Sequence, residues 1–195
     1  MKRLLDLGLA VAAVIVLLPV LTVIAVLVWV DSGRPVLFRQ VRVGRGEGTF
    51  QILKFRTMFA DAEQSLKLTA GGDARVTRVG VLLRRYKLDE LPQLFNVIRG
   101  EMSLVGPRPE VPEFVKYYSA EDRRLIFSVR PGVTDVASIK YRNEGQLLEA
   151  VDDPRAYYVE VLLPKKLALC REYVLNRSLG ADLAILWRTA SAIVR

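Results

Sequence analysis

Residues 7 to 30 contain no ionisable side chain, and Asp31 and Ser32 follow at once. About twenty apolar residues are enough to cross a bilayer, so membrane association is expected and this run is long enough to span by length alone. It is too long for the core of a cleaved signal peptide, and no small-residue cleavage pattern precedes Asp31, so the segment should remain attached. Near its centre stands Pro19, which removes one backbone hydrogen bond and clashes with the preceding turn, kinking a helix at that point. A kink does not require a U-turn, because many spanning helices tolerate proline. Lys2 and Arg3 precede the run, and Arg34, Arg39, Arg42 and Arg45 follow it. Positive charge prefers the cytosolic side, and having it at both ends suits a helix that enters and leaves by one face. The residues alone leave re-entry and spanning about even. Either topology keeps the basic bulk of the protein in the cytosol.

The formal charge of +8 and a pI near 9.8 direct the chain toward anions: phosphates, nucleic acid or acidic headgroups. The apolar run selects the membrane among these. Little aromatic interleaving accompanies the basic residues, which argues against a nucleic-acid partner. The single cysteine, Cys170, excludes an internal disulfide and sits in an apolar helical pattern, where it is expected to be a small core residue. Residues 179 to 194 place Leu179, Leu183, Leu186, Trp187, Ala190, Ile193 and Val194 at roughly helical spacing, as expected of a helix in the membrane interface or of an ordinary amphipathic core helix. Lys165 and Lys166 are expected to face lipid phosphates or water.

Between these segments, Pro35 to Arg42 and Thr49 to Phe55 have the pattern of two strands, joined by a loop containing Gly44, Gly46 and Gly48. No P-loop lysine and hydroxyl follow those glycines at the proper offset, so a hairpin turn is predicted. Helices are expected over 57–68 and 77–86, separated by a turn at Ala70 to Asp73. Another is expected from Ser119 through Phe127, opened by an acidic capping box with Asp122 and ended by Pro131 and Gly132. The expected architecture is a membrane element over residues 1–33 and one small mixed α/β domain over 34–195, with interfacial amphipathic helices.

The chain has no histidine, so acid–base and nucleophilic chemistry must rest on other groups. Asp89 and Glu90 form an adjacent acid pair ahead of Leu91, Leu94, Phe95 and Ile98, which recur at helical spacing, with Pro92 in the first turn and Gly100 after the last. Carboxylates at a helix start are ordinary dipole and capping residues, but the same position favours an ionised carboxylate and a nearby phosphate. Neighbours on a helix point about 100° apart, so the two acids are placed for separate roles rather than for sharing a proton. Candidate anion-binding cations are Lys54, Arg56, Arg84 and Arg108, each of which is otherwise a solvated surface charge. Pro107 and Pro109 fix the backbone on either side of Arg108. An oxygen-only donor set at Asp89 and Glu90 favours magnesium over zinc.

The strings FRQVRVGRGEGTFQILKFRTM (38–58), KLDELPQLFNVIRGEMSLVGPRPE (87–110), RPGVTDVASIKYRNE (130–144) and the closing stretch from 163 to 194, together with the apolar start, resemble the monotopic phosphoglycosyl transferases, a group of bacterial sugar transferases. The resemblance covers essentially the whole chain. It implies transfer of a sugar 1-phosphate from a UDP-sugar to polyprenyl (undecaprenyl) phosphate, releasing UMP and initiating glycoconjugate assembly at the cytosolic face of a bacterial inner membrane. It implies Asp89 as nucleophile, Glu90 assisting through magnesium, and a re-entrant helix broken at Pro19. Leu18 stands where many members have serine, so the break must rest on Pro19 alone, and Thr134 to Ile139 depart from the usual continuation of the third string. A glycosyltransferase releasing UDP and a basic membrane-anchored scaffold are the competing readings. Interfacial helices often pair, which makes a homodimer the state to look for.

Overall fold

The computed structural model describes residues 1–59 and 75–194. Its fold is mixed α/β and mostly helical. The apolar run lies within α1, Lys2–Ser32, which remains helical through Pro19 and is long enough to cross a membrane. At 1.5 Å per residue it measures about 46 Å. Ala10, Leu21, Ile24 and Val28 are buried, and Val14 and Leu17 are partly buried between them, so a stripe at spacings of four and three packs on the rest of the protein. The opposite face, including Ile15, Val16, Val23 and Val30, is exposed.

Both ends of α1 are pinned to the same body. Lys2 Nζ donates to Asp182 Oδ2 at 2.5 Å, Arg3 donates to the carbonyls of Val97 and Ile98 at 2.7 and 3.1 Å, and buried Asp6 accepts from Ser103 Oγ at 2.7 Å. At the far end, Asp31 Oδ2 accepts from Val79 N at 3.0 Å.

Strands β1, Leu37–Val43, and β2, Thr49–Phe55, pair antiparallel from Leu37 opposite Phe55 to Val43 opposite Thr49. A 3-10 turn at Arg45–Glu47 joins them, as the glycine-rich loop predicts. Helix α2, Arg78–Arg85, starts where Thr77 Oγ1 accepts from Gly80 N at 2.9 Å. The helix expected from residue 57 does not begin there: Met58 bridges Val76. The rest of that expectation from residue 60, with the turn at 70–73, lies outside the described residues.

Helix α3, Gln93–Arg99, ends at Gly100, whose φ is 87°. Strand β3, Ser103–Val105, then pairs in parallel with β4, Gly132–Thr134. Helix α4, Pro112–Val115, precedes α5, Ala120–Ile126, which Ser119 caps by accepting from Asp122 N at 3.0 Å. Phe127 ends α5, so Pro131 and Gly132 lead into β4 instead of stopping that helix. After α6, Val136–Lys140, α7, Glu144–Glu149, and α8, Pro154–Tyr157, a π turn runs into α9, Leu163–Asn176. Cys170 is buried in that helix, while Lys166 bonds Glu144 at 2.9 Å instead of facing lipid or open water. The final helix, α10, Leu179–Val194, buries Ile185 and leaves Leu183 and Trp187 exposed.

Candidate active site

The acid pair does not occupy the first turn of α3. It lies one turn earlier, in a 3-10 turn at Leu88–Glu90, because Lys87 adopts a left-handed φ of 56° and Pro92 intervenes before the α-helix begins. A non-glycine residue there costs about 1 kcal/mol, a strain held by the surrounding fold. The tighter turn directs the two carboxylates into different settings.

Glu90 is clamped. Lys54 Nζ on β2 reaches its Oε1 at 2.8 Å, while Arg108 grips both oxygens, its Nη1 donating to Oε2 at 3.1 Å and its Nη2 to Oε1. Burial would push the Glu90 carboxyl up, but Arg108 and Lys54 hold it well below the usual carboxylate range. Burial draws the Lys54 ammonium below its ordinary value despite Glu90. The Arg108 guanidinium is held charged by Glu90.

Asp89 is different. It is 7% exposed, and its Oδ1 is buried without a hydrogen-bond partner. Burial pushes its carboxyl above the ordinary value, opposed by the charge of Lys54, raised further by Glu90, and opposed again by Lys87 and Arg84. Two neighbouring acids are thus driven in opposite directions, as expected where one carboxylate organises cations and the other is left unengaged.

The Gly-Pro-Arg-Pro turn is built by the β3–β4 pair. Gly106 N donates to Thr134 O at 3.1 Å and Gly132 N to Pro107 O at 3.0 Å. A Cβ on Gly132 would meet Gly106 N at 2.1 Å, so only glycine permits this approach. Beyond Pro107, Arg108 N donates to Asp135 Oδ2 at 3.2 Å, and Asp135 also caps α6 by accepting from Ser138 N at 2.6 Å. Pro109 O accepts from Arg42 Nη1 at 3.0 Å.

Lys54, Asp89, Glu90 and Arg108 therefore converge, and Arg84 lies near enough for its charge to act on Asp89 while its Nε donates to Thr57 Oγ1 at 2.8 Å. Arg56 does not join them. It is 1% exposed, and its Nη2 donates to Ser32 O, Ser32 Oγ and Gly33 O, closing the C-terminal end of α1. Four further residues surround the site that sequence reasoning did not single out for it: Arg42, Glu110, Asp135 and Tyr158. Asp135 three residues before Ser138 is a capping signal, and Glu110 directly follows Pro109, so both carried a visible sign.

A cavity of about 300 Å³ opens beside Glu90 and Arg108 and runs back past Glu110, Tyr158 and Lys166. Among the described residues no group of three or more metal-ligating side chains exists. Magnesium is commonly held by one or two carboxylates together with substrate phosphates, and the unengaged Asp89 oxygen suits that donor set.

Two adjacent acids beside two cations thus stand on a small α/β body that carries a helix long and apolar enough to cross a membrane. The bacterial sugar transferase family model matches residues 1–195, and the chain belongs to that family. It is 38% identical over 196 residues to the UDP-N-acetylgalactosamine-undecaprenyl-phosphate N-acetylgalactosaminephosphotransferase of Aeromonas hydrophila, covering 99% of this chain and 43% of that protein. Identity is also 38% over 196 residues to the UDP-glucose:undecaprenyl-phosphate glucose-1-phosphate transferase of Caulobacter vibrioides, covering 99% and 69% respectively. An exopolysaccharide production protein, ExoY, of Sinorhizobium fredii is 35% identical over 208 residues, covering 98% of this chain and 84% of its own length. The chain thus spans less than half of the Aeromonas relative and about two thirds of the Caulobacter one.

Proposed function

We propose that this protein transfers a sugar 1-phosphate from a UDP-sugar to undecaprenyl phosphate, yielding undecaprenyl diphosphate sugar and UMP. In the first step an Asp89 oxygen attacks the phosphorus that bears the sugar. The bridging P–O bond breaks, and its electrons leave on UMP. An oxygen of undecaprenyl phosphate then attacks the same phosphorus and releases the Asp89 carboxylate. Both nucleophiles are anions, so no general base is needed, in keeping with a chain that lacks histidine. Glu90 orients Lys54 and Arg108, whose charges meet the diphosphate. Asp89, with Glu90 beside it, would hold magnesium, which when bound would neutralise diphosphate charge. The carrying observation is the split pair: Glu90 clamped by two cations and Asp89 buried beside it with an unpartnered oxygen.

Purified protein incubated with undecaprenyl phosphate, magnesium and a panel of UDP-sugars should release UMP. Release of UDP would identify a glycosyltransferase instead, and release of neither from every donor would favour a scaffold. With donor alone, intact-mass analysis should find the mass of a phosphosugar added to the wild type and absent from Asp89→Asn.

We further place α1 in one leaflet of the bacterial inner membrane, re-entering the cytosolic face with its bend at Pro19. The support is its two fastened ends and its buried stripe, which tie the helix along its length to the body that carries the acid pair. Cysteines introduced at Leu4 and Val41, in a Cys170→Ser background, should both react with an impermeant thiol reagent from the cytosolic side. Labelling of Leu4→Cys only from the opposite side would reject this placement.

A further inference from the structure

A second cavity, of about 310 Å³, lies where the start of α1 meets the body, and it shares no lining residue with the cavity at Glu90 and Arg108. Its lining includes Lys2, Arg3, Arg45, Arg130 and Arg177, drawn from four separate parts of the chain, against the single carboxylate of Asp6. Lys2 is neutralised locally, being paired with Asp182 at 2.5 Å and lying 3.8 Å from Asp6. The four arginines are not: among the described residues none of them pairs with a carboxylate. Arg3 is fixed on the carbonyls of Val97 and Ile98, and Arg130 Nε on the carbonyl of Gly100 at 2.8 Å, so both are held in place by neutral acceptors that leave their charge unanswered. Arg45 and Arg177 are exposed at the margin.

Four uncompensated guanidinium groups around one concavity repel each other, and an anion removes that repulsion. The surroundings say what kind of anion. Leu175 is 70% exposed two residues before Arg177, and Leu179 is exposed two residues after it. A charged recess whose Arg177 is flanked in the chain by exposed leucines, at the end of a long apolar helix, matches a phosphate joined to acyl chains. A free anion would gain nothing from the leucines. We propose that this recess is a binding site for the headgroup of an anionic phospholipid, separate from the site of transfer, which locks the start of α1 to the body.

The test uses the full chain in detergent micelles, following the thermal unfolding midpoint during titration with phosphatidylglycerol, with phosphatidylcholine of the same chains, and with inorganic phosphate. Phosphatidylglycerol should raise the midpoint in a saturable way, and the other two should not. Each basic residue near a lipid surface contributes about 1 kcal/mol, so the exposed pair Arg45→Gln/Arg177→Gln should weaken the apparent Kd about thirtyfold. The charge-matched pair Arg78→Gln/Arg85→Gln on α2 should leave it unchanged, as should Asp89→Asn. The proposal is overturned if the Arg45/Arg177 variant keeps the wild-type Kd, or if inorganic phosphate gives the same shift, which would define a free-anion site. Competition by undecaprenyl phosphate at equal strength would reassign the recess to the acceptor and overturn it equally.

Discussion

At the scale of single residues, the opposite treatment of two adjacent acids is the feature with the clearest consequences. Because burial raises the Asp89 pKa in the folded state, the fold favours its protonated form, and stability is lost as pH rises through that raised value. Asp89→Asn should therefore melt higher than wild type at neutral pH, with the gap closing as pH falls below the ordinary aspartate value of about 4. The same variant should lose turnover by on the order of 10³-fold or more. In the wild type, the acidic limb of kcat/KM should lie above that value of about 4 if the attack proposed for Asp89 holds, since that carboxyl would have to be ionised. Glu90→Gln should instead destabilise, by about 2 kcal/mol in denaturant titration, since it leaves the half-buried Lys54 and Arg108 without their shared counter-charge. Lys54, Asp89, Glu90 and Arg108 were legible in the sequence because each falls in a string resembling known transferases. The destination of Arg56 was not. Residues two apart on a strand share a face, which would set Arg56 beside Lys54, but β2 ends at Phe55 and Arg56 turns off the sheet toward α1.

At the scale of elements, the hairpin was readable because seven-residue strands show alternation and a glycine-rich loop marks the reversal. The β3–β4 pair was not. Each strand has three residues, too few for a period to register, and a stretch from 106 to 131 separates them. Yet this pair carries the turn that presents Arg108. Gly132→Ala, which sets a methyl against Gly106, should cost about 3 kcal/mol in thermal or denaturant melts and reduce activity in the fraction that still folds. The acid pair shows the same limit: helical spacing located α3 and its glycine end, but the extra 3-10 turn depends on the backbone of Lys87, a residue with no special tendency toward positive φ.

At the scale of the whole molecule, α1 read as a uniformly apolar rod, and nothing in its hydropathy distinguished the face that meets lipid from the face that meets protein. The stripe from Ala10 to Val28 is visible only once the body is there to cover it. The polar fastening at its start has one measurable consequence. Asp6→Ala removes the carboxylate that accepts from Ser103 Oγ and Leu104 N, leaving Ser103 only the Val105 carbonyl; it should cost about 1 kcal/mol and should show as faster amide exchange over the opening turns of α1 while α9 stays protected.

Lys2 and Asp182 are 180 positions apart in the chain, yet they touch. On a ribosome, the opening turn of the membrane helix has to wait, without its mate, until almost everything described here has been synthesised. A nascent chain halted before α10 could already hold that end through Arg3 and Asp6, but Lys2 would lack its carboxylate, so the last charge of the membrane helix is answered only when α10 arrives.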